Sequence, residues 1–134
     1  MKQLITVCVG LVVLLLIYKI VTERSLAAHR TDLLKHVDHA AIAQGCVELI
    51  AKYGSDQEFG VYFGSMDTNL PLAIRAAKPM WVNVRSNEVT ILKTGGHYHM
   101  GLHFRQSRTN LSRFELVFQE QKKGADELLL YSIQ

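Results

Sequence analysis

The side chains whose types and spacing come closest to chemistry are six histidines, and they fall into two clusters. His97, His99 and His103 alternate along GGHYHMGLHF (95–104), while His29, His36 and His39 lie near the start of an expected helix. A neutral imidazole offers a lone pair to zinc or another transition metal, so metal binding is the first reading to weigh. Residues two apart on a strand share a face and lie about 6.6 Å apart along it, so His97 and His99 can reach one ion. His103 falls about 13 Å beyond His99 by the same rise and joins them only if Gly101 marks a bulge. On a helix, His29, Asp32, His36 and His39 are spaced three, four and three and share one face, which makes His36 and His39 a second, separate chelating pair. Neither pair has a thiol or carboxylate placed as an evident third ligand. Metal binding through His97/His99 or His36/His39 therefore stands as the alternative, and the primary expectation is no cofactor.

Other catalytic constellations are missing. Cys46 and His39 are seven residues apart on one expected helix, about 10 Å along its axis, too far for a nucleophile and its base. Gly95-Gly96 precedes a strand and not a helix, so it does not form a phosphate cradle. No Ser/His/Asp arrangement, paired-carboxylate motif or dinucleotide fingerprint occurs, and no enzyme is expected. Cys8 lies in an apolar segment and Cys46 in the polar part, which excludes an intrachain disulfide and leaves Cys46 as a small buried residue.

The elements that must position these residues begin with LITVCVGLVVLLLIYKIV (4–21), which is apolar except for Thr6 and Lys19. Eighteen helical residues extend about 27 Å, enough to cross a bilayer if Lys19 snorkels to the interface beside Tyr18. A buried core helix is disfavoured because the segment is apolar on every side. A signal peptide cleaved after Ala27, at Ser25-Leu26-Ala27, would carry Lys19, Glu23 and Arg24 just ahead of its cleavage site, so an uncleaved anchor is expected. The basic flank Lys19, Arg24, Arg30 and Lys35 leans towards a cytoplasmic domain, yet a short tail with one lysine also begins exported signal-anchor proteins. Both orientations stay open.

Removing Lys2, Lys19 and Glu23 with the anchor leaves 13 basic against 11 acidic side chains. The basic residues are scattered, and no nucleic-acid footprint is expected.

Residues 22–54 read as one long amphipathic helix ending at Gly54. Leu26, Leu33, Leu34, Val37, Ala40 and Ala41 form one stripe, and Ile42, Cys46, Leu49, Ile50 and Tyr53 form another, with the change near Gly45. The second stripe is expected to cover the domain. The first is expected to face a partner chain or another copy, with Leu26, Leu33 and Val37 as interaction residues.

From residue 55 the periodicity changes to two. Strands are expected at 59–63, 80–85, 88–94, 97–106, 113–120 and 127–133, with a short helix at 69–78 capped by Asn69 and ended by Pro79. Alternation places Met80, Val82, Val84, Val89, Ile91, Tyr98, Met100, Leu102, Phe104, Phe114, Leu116 and Phe118 on one face. Trp81, Asn83, Arg85, Thr90, His97, His99, His103, Arg113 and Glu115 fall on the other. A helix half apolar leading into an antiparallel meander resembles type IV pilin-like proteins in plan. Their signature is not matched, since Gly10 follows an already apolar leader and the fifth residue on is Leu15 where that family has Glu.

These readings give an α+β protein: a membrane anchor (1–21), an amphipathic stalk helix (22–54) and an antiparallel β-meander of about four to six strands (55–134) packed under it. The function expected is that of a single-pass membrane interaction or assembly component. Its expected contacts are the bilayer through residues 4–21 and a protein partner, or self-association, through the helix. The alternative is a membrane-tethered metal-binding or metal-sensing domain.

Overall fold

The computed structural model describes residues 1–55, 58–95, 98–122 and 128–132, with side chains for all of these except 122 and 128–132. It consists of α1 (Lys2–Thr31), a π-helical turn (Asp32–His36), α2 (His39–Tyr53), β1 (Val61–Gly64), α3 (Leu72–Ala76), β2 (Trp81–Arg85), β3 (Glu88–Thr94), β4 (Tyr98–Gln106), β5 (Phe114–Lys122) and β6 (Leu128–Ser132). The strands form a single six-stranded sheet in the order β1-β2-β3-β4-β5-β6, every neighbouring pair antiparallel. This is the α+β meander that the alternation predicts.

No residue of α1 is buried, and among the described residues one helical run, Lys2–His36, is long and apolar enough to cross a membrane. The run does not continue into α2 as expected. The chain turns extended at Val37 (φ −109°, ψ 148°), and Asp38 restarts the helix as its N-cap, its carboxylate accepting the Ala41 N–H at 3.0 Å. An aspartate at this position satisfies one of the donors that a helix start leaves open, so a new helix begins there at little cost. The change of apolar stripe thus comes from a break at Val37–Asp38 and not from a bend at Gly45. Gly45 serves packing instead, because a Cβ there would sit 3.0 Å from the Pro71 side chain at the start of α3.

The break turns both stripes onto one core. Ile42, Cys46 and Leu49 of α2 are buried, Leu33 of the π-helical turn is 0% exposed, and Leu26, Leu34 and Val37 pack against the same cluster. Beneath them lie Val82, Val84, Val89, Ile91, Met100, Leu102, Phe104, Leu116 and Phe118, all buried. Met80 and Phe114, expected on this face, are exposed at or beside strand ends, where the helices do not reach. The short helix starts at Pro71 and not at Asn69, whose side chain bonds Asp67 instead. Proline pre-sets the backbone angle for a helix start and biases the residue before it away from helical geometry.

One polar residue interrupts the core row. Glu120 follows Leu116 and Phe118 on the buried side of β5 and is only 9% exposed. Arg30, in the last turn of α1, meets it with both arms of its guanidinium, Nε to Oε2 at 2.9 Å and Nη2 to Oε1 at 2.5 Å. A carboxylate withdrawn from water needs such a partner, and the two-pronged geometry also fixes orientation. The end of the apolar helix is therefore pinned to the sheet. Arg30→Ala should destabilise the protein by about 1–3 kcal/mol, a range between exposed and buried pairs. Arg30→Ala combined with Glu120→Gln should lose less than the sum of the single changes, as read by denaturant unfolding in detergent micelles.

Candidate functional site: the open face of the sheet

Because the helices cover one face only, the alternate residues of every strand form a second, open face. Its rows follow from the strand register. Arg85, Glu88, Arg105 and Glu115 line up across β2 to β5; Asn83, Thr90, His103 and Val117 form the next row; Trp81, Leu92, Gly101 and Gln119 form the third. Tyr62 of β1 pairs with Asn83 and sets its ring edge-to-face against Trp81, with centroids 5.6 Å apart. These rows enclose a groove of about 410 Å³, lined by Tyr62, Trp81, Asn83, Arg85, Glu88, Thr90, His103, Arg105 and Gln119.

Local structure holds the groove open. Gly101 lets β3 and β4 approach closely, since a Cβ there would lie 2.1 Å from the Ile91 carbonyl oxygen. Gly60 takes a positive φ of 68°, which returns the chain into β1 and brings the preceding turn against β2. That turn receives two side chains from the groove: the Asn83 amide donates to the Phe59 carbonyl at 3.0 Å, and Arg85 donates to the Glu58 carbonyl at 2.7 Å.

At the centre lies a cross-strand polar string. His103 Nδ1 and Thr90 Oγ1 share a hydrogen bond of 3.2 Å, His103 Nε2 is 3.9 Å from Glu88, and Arg105 Nε donates to Glu88 at 2.8 Å. A neutral imidazole carrying its proton on Nε2 satisfies both neighbours, accepting from Thr90 and turning its N–H towards Glu88. Burial pushes the His103 pKa below the ordinary imidazole value, with Glu88 acting in the opposite sense and Arg105 reinforcing the shift. A hydroxyl, an imidazole and a carboxylate in sequence suggest nucleophile activation. The Glu88 contact, however, is longer than such a relay uses, and Arg105 already neutralises that carboxylate. The string is suited to shaping a hydrogen-bonding floor.

Of the histidine pairs expected from the sequence, the described residues bear on one, because His97 lies outside them. His99 is exposed on the open face, beside a small recess with Gln119 and Gln121 and at the far side of Gly101 from His103. His36 and His39 do not share a helical face, because the break at Val37–Asp38 separates them. His36 Nδ1 lies 3.0 Å from Asp32, whose carboxyl this contact holds below its usual range, and His39 Nε2 meets the Leu33 carbonyl at 2.7 Å. Among the described residues no group of three or more His, Cys, Asp and Glu side chains is arranged to hold a metal ion.

The expected interaction stripe is also placed differently. Leu33 is inside the core, and Leu26 and Val37 pack against it, so the domain itself occupies the surface assigned to a partner. Cys46 is buried and its thiol pKa is pushed up by burial, which leaves it unreactive. Alternation had placed Trp81, Asn83, Thr90 and His103 on the open face. Arg105 and Gln119 follow from the same parity, whereas Tyr62 joins only through the pairing of β1 with β2. Comparison with protein-family models, characterised proteins and solved structures finds no match for this chain.

Two outcomes follow. Leu33→Ala should cost about 2–5 kcal/mol of stability, the range for a large-to-small change in a packed core, and act on the unfolding midpoint before any association is affected. For His103, the unfolded chain binds more protons than the folded one between the lowered folded value and the ordinary value of 6.5. Its contribution is therefore fully present above that window and is lost as pH falls through it. His103→Gln should flatten the loss of stability measured between about pH 7.5 and about pH 5.

Proposed function

We propose that this protein is a single-pass membrane-anchored recognition component, an interaction or assembly part without catalysis, which holds the open sheet face ready for a ligand beyond the bilayer surface. The observation that carries this reading is the separation of two unlike surfaces. Residues 4–21 present large apolar side chains on every side with no cover from the domain, a surface that a bilayer satisfies. The sheet's open face presents a groove of hydrogen-bonding and aromatic groups instead. The Arg30–Glu120 pair supports the reading by tying the end of the apolar helix to the sheet that carries the groove.

The core-facing side of the helices is filled, which leaves the open face as the larger recognition surface among the described residues. Photoreactive side chains introduced in intact cells test this directly. A residue at Tyr62, on the groove, should give a discrete adduct in the membrane fraction, and one at Glu48, on the exposed side of α2, should not. Deleting residues 2–21 should release the protein from carbonate-washed membranes. No adduct at Tyr62, the same adduct at Glu48, or unchanged membrane retention would each count against the proposal.

A further inference from the structure

We infer that the groove on the open sheet face is a binding site for a saccharide. The inference rests on the recognition reading above and specifies the chemistry of the ligand. At about 410 Å³ the groove lies towards the small end of the range of about 300–1,000 Å³ found for ligand pockets, so it suits a small ligand better than a long polymer strand.

Three properties of the lining select the class. The first is an aromatic wall at one end. Tyr62 is 59% exposed and meets Trp81 edge-to-face, an arrangement that leaves ring faces uncovered by the pair itself. Such faces take the C–H patches of a pyranose ring, which are apolar and slightly positive, against the negative face of the π-system. The second is a floor of planar, hydrogen-bonding groups. The Gln119 carboxamide and the Trp81 indole N–H engage no hydrogen-bond partner among the described residues, and Asn83 commits its amide nitrogen to Phe59 while its oxygen stays available. Carboxamides combine donor and acceptor, the match for vicinal hydroxyls that are themselves both.

The third property is a pair of arginines held in place. Arg105 is paired with Glu88, and the Glu58 carbonyl orients Arg85 without cancelling its charge, so Arg85, which has no carboxylate partner among the described residues, offers its remaining N–H groups as donors to ligand hydroxyls. His103 adds no charge, as burial favours its neutral form. An apolar ligand would leave Asn83, Thr90, His103 and Gln119 desolvated without replacement, a penalty that disfavours a lipid or sterol. A polyol with an apolar ring face meets the aromatic wall, the carboxamide floor and the arginine donor together.

Trp81 is the chain's single tryptophan, which makes it a built-in reporter at the aromatic wall. The full-length protein, held in phosphatidylcholine nanodiscs and not in sugar-headed detergent, is titrated with a panel of neutral hexoses, N-acetylhexosamines and their disaccharides. At least one should produce a saturable change in Trp81 emission with a Kd on the order of 1 mM, and the same saccharide should show saturation transfer from the protein by NMR. Gln119→Ala and Tyr62→Ala, each checked for native circular dichroism, should weaken that binding roughly three- to tenfold, the loss of one neutral contact. Glu48→Ala should leave it unchanged. Silence in both measurements across the panel, binding indifferent to both groove variants, or saturation only by phosphate or nucleotides overturns the inference. If the Tyr62 photoadduct forms in cells but is a protein and no saccharide binds, the recognition reading survives and only the ligand class falls. If neither is seen, both fall.

Discussion

A sheet with apolar side chains on one face only has to be covered on that face and left open on the other, and the architecture of this protein follows from meeting that constraint with little chain. Val82, Val84, Val89, Ile91, Leu102, Phe104, Leu116 and Phe118 must be removed from water together. A single straight helix continuing from the apolar segment would present its two apolar stripes in different directions. The break at Val37–Asp38 resolves this by letting the end of the first helical run and the whole of α2 settle on the same core. The Asp38 cap lowers the cost of the interruption, and the Arg30–Glu120 pair fixes the angle at which the apolar helix leaves the domain.

That one-sided cover also explains why the groove is open. The groove is on the open face, assembled from five strands and floored by a cross-strand string running from Thr90 through His103 to Glu88 and Arg105. Each member of the string is held by its neighbour, so the floor is ordered before anything binds, which lowers the entropic cost of recognition. Histidine here works as a neutral hydrogen-bonding group. Its burial and its pairing with Thr90 suit that role better than metal ligation, for which the described residues supply no converging ligands.

Much of the fold is legible in the order of residues. Period-two alternation from residue 80 onwards assigns β2 to β5 and both faces of the sheet, because side-chain direction on a strand depends only on counting. Continuous apolarity over 4–21 marks the one helix among the described residues that is long and apolar enough to cross a membrane, for an equally local reason. The helix break was written as Asp38 ahead of two alanines, a cap signal outweighed by the strong helix formers on either side. The assignments that misplaced Leu26, Leu33 and Val37 on a partner surface, and His36 with His39 on one face, both followed from extending a straight helix through that point.

Local pattern therefore determined which residues are apolar-facing, which are polar-facing and where the long apolar helix lies. Tertiary structure alone decided that both helical stripes share one core, that Glu120 is paired with Arg30 ninety residues away, and that Tyr62 stands beside Trp81. The physical reason is that periodicity reports the direction of a side chain within its own element, whereas a contact between elements depends on where breaks and strand register bring them. The groove depends on that register, which puts His103 in its floor, and the helix break separates His36 from His39, a pair that looked like metal ligands in the sequence.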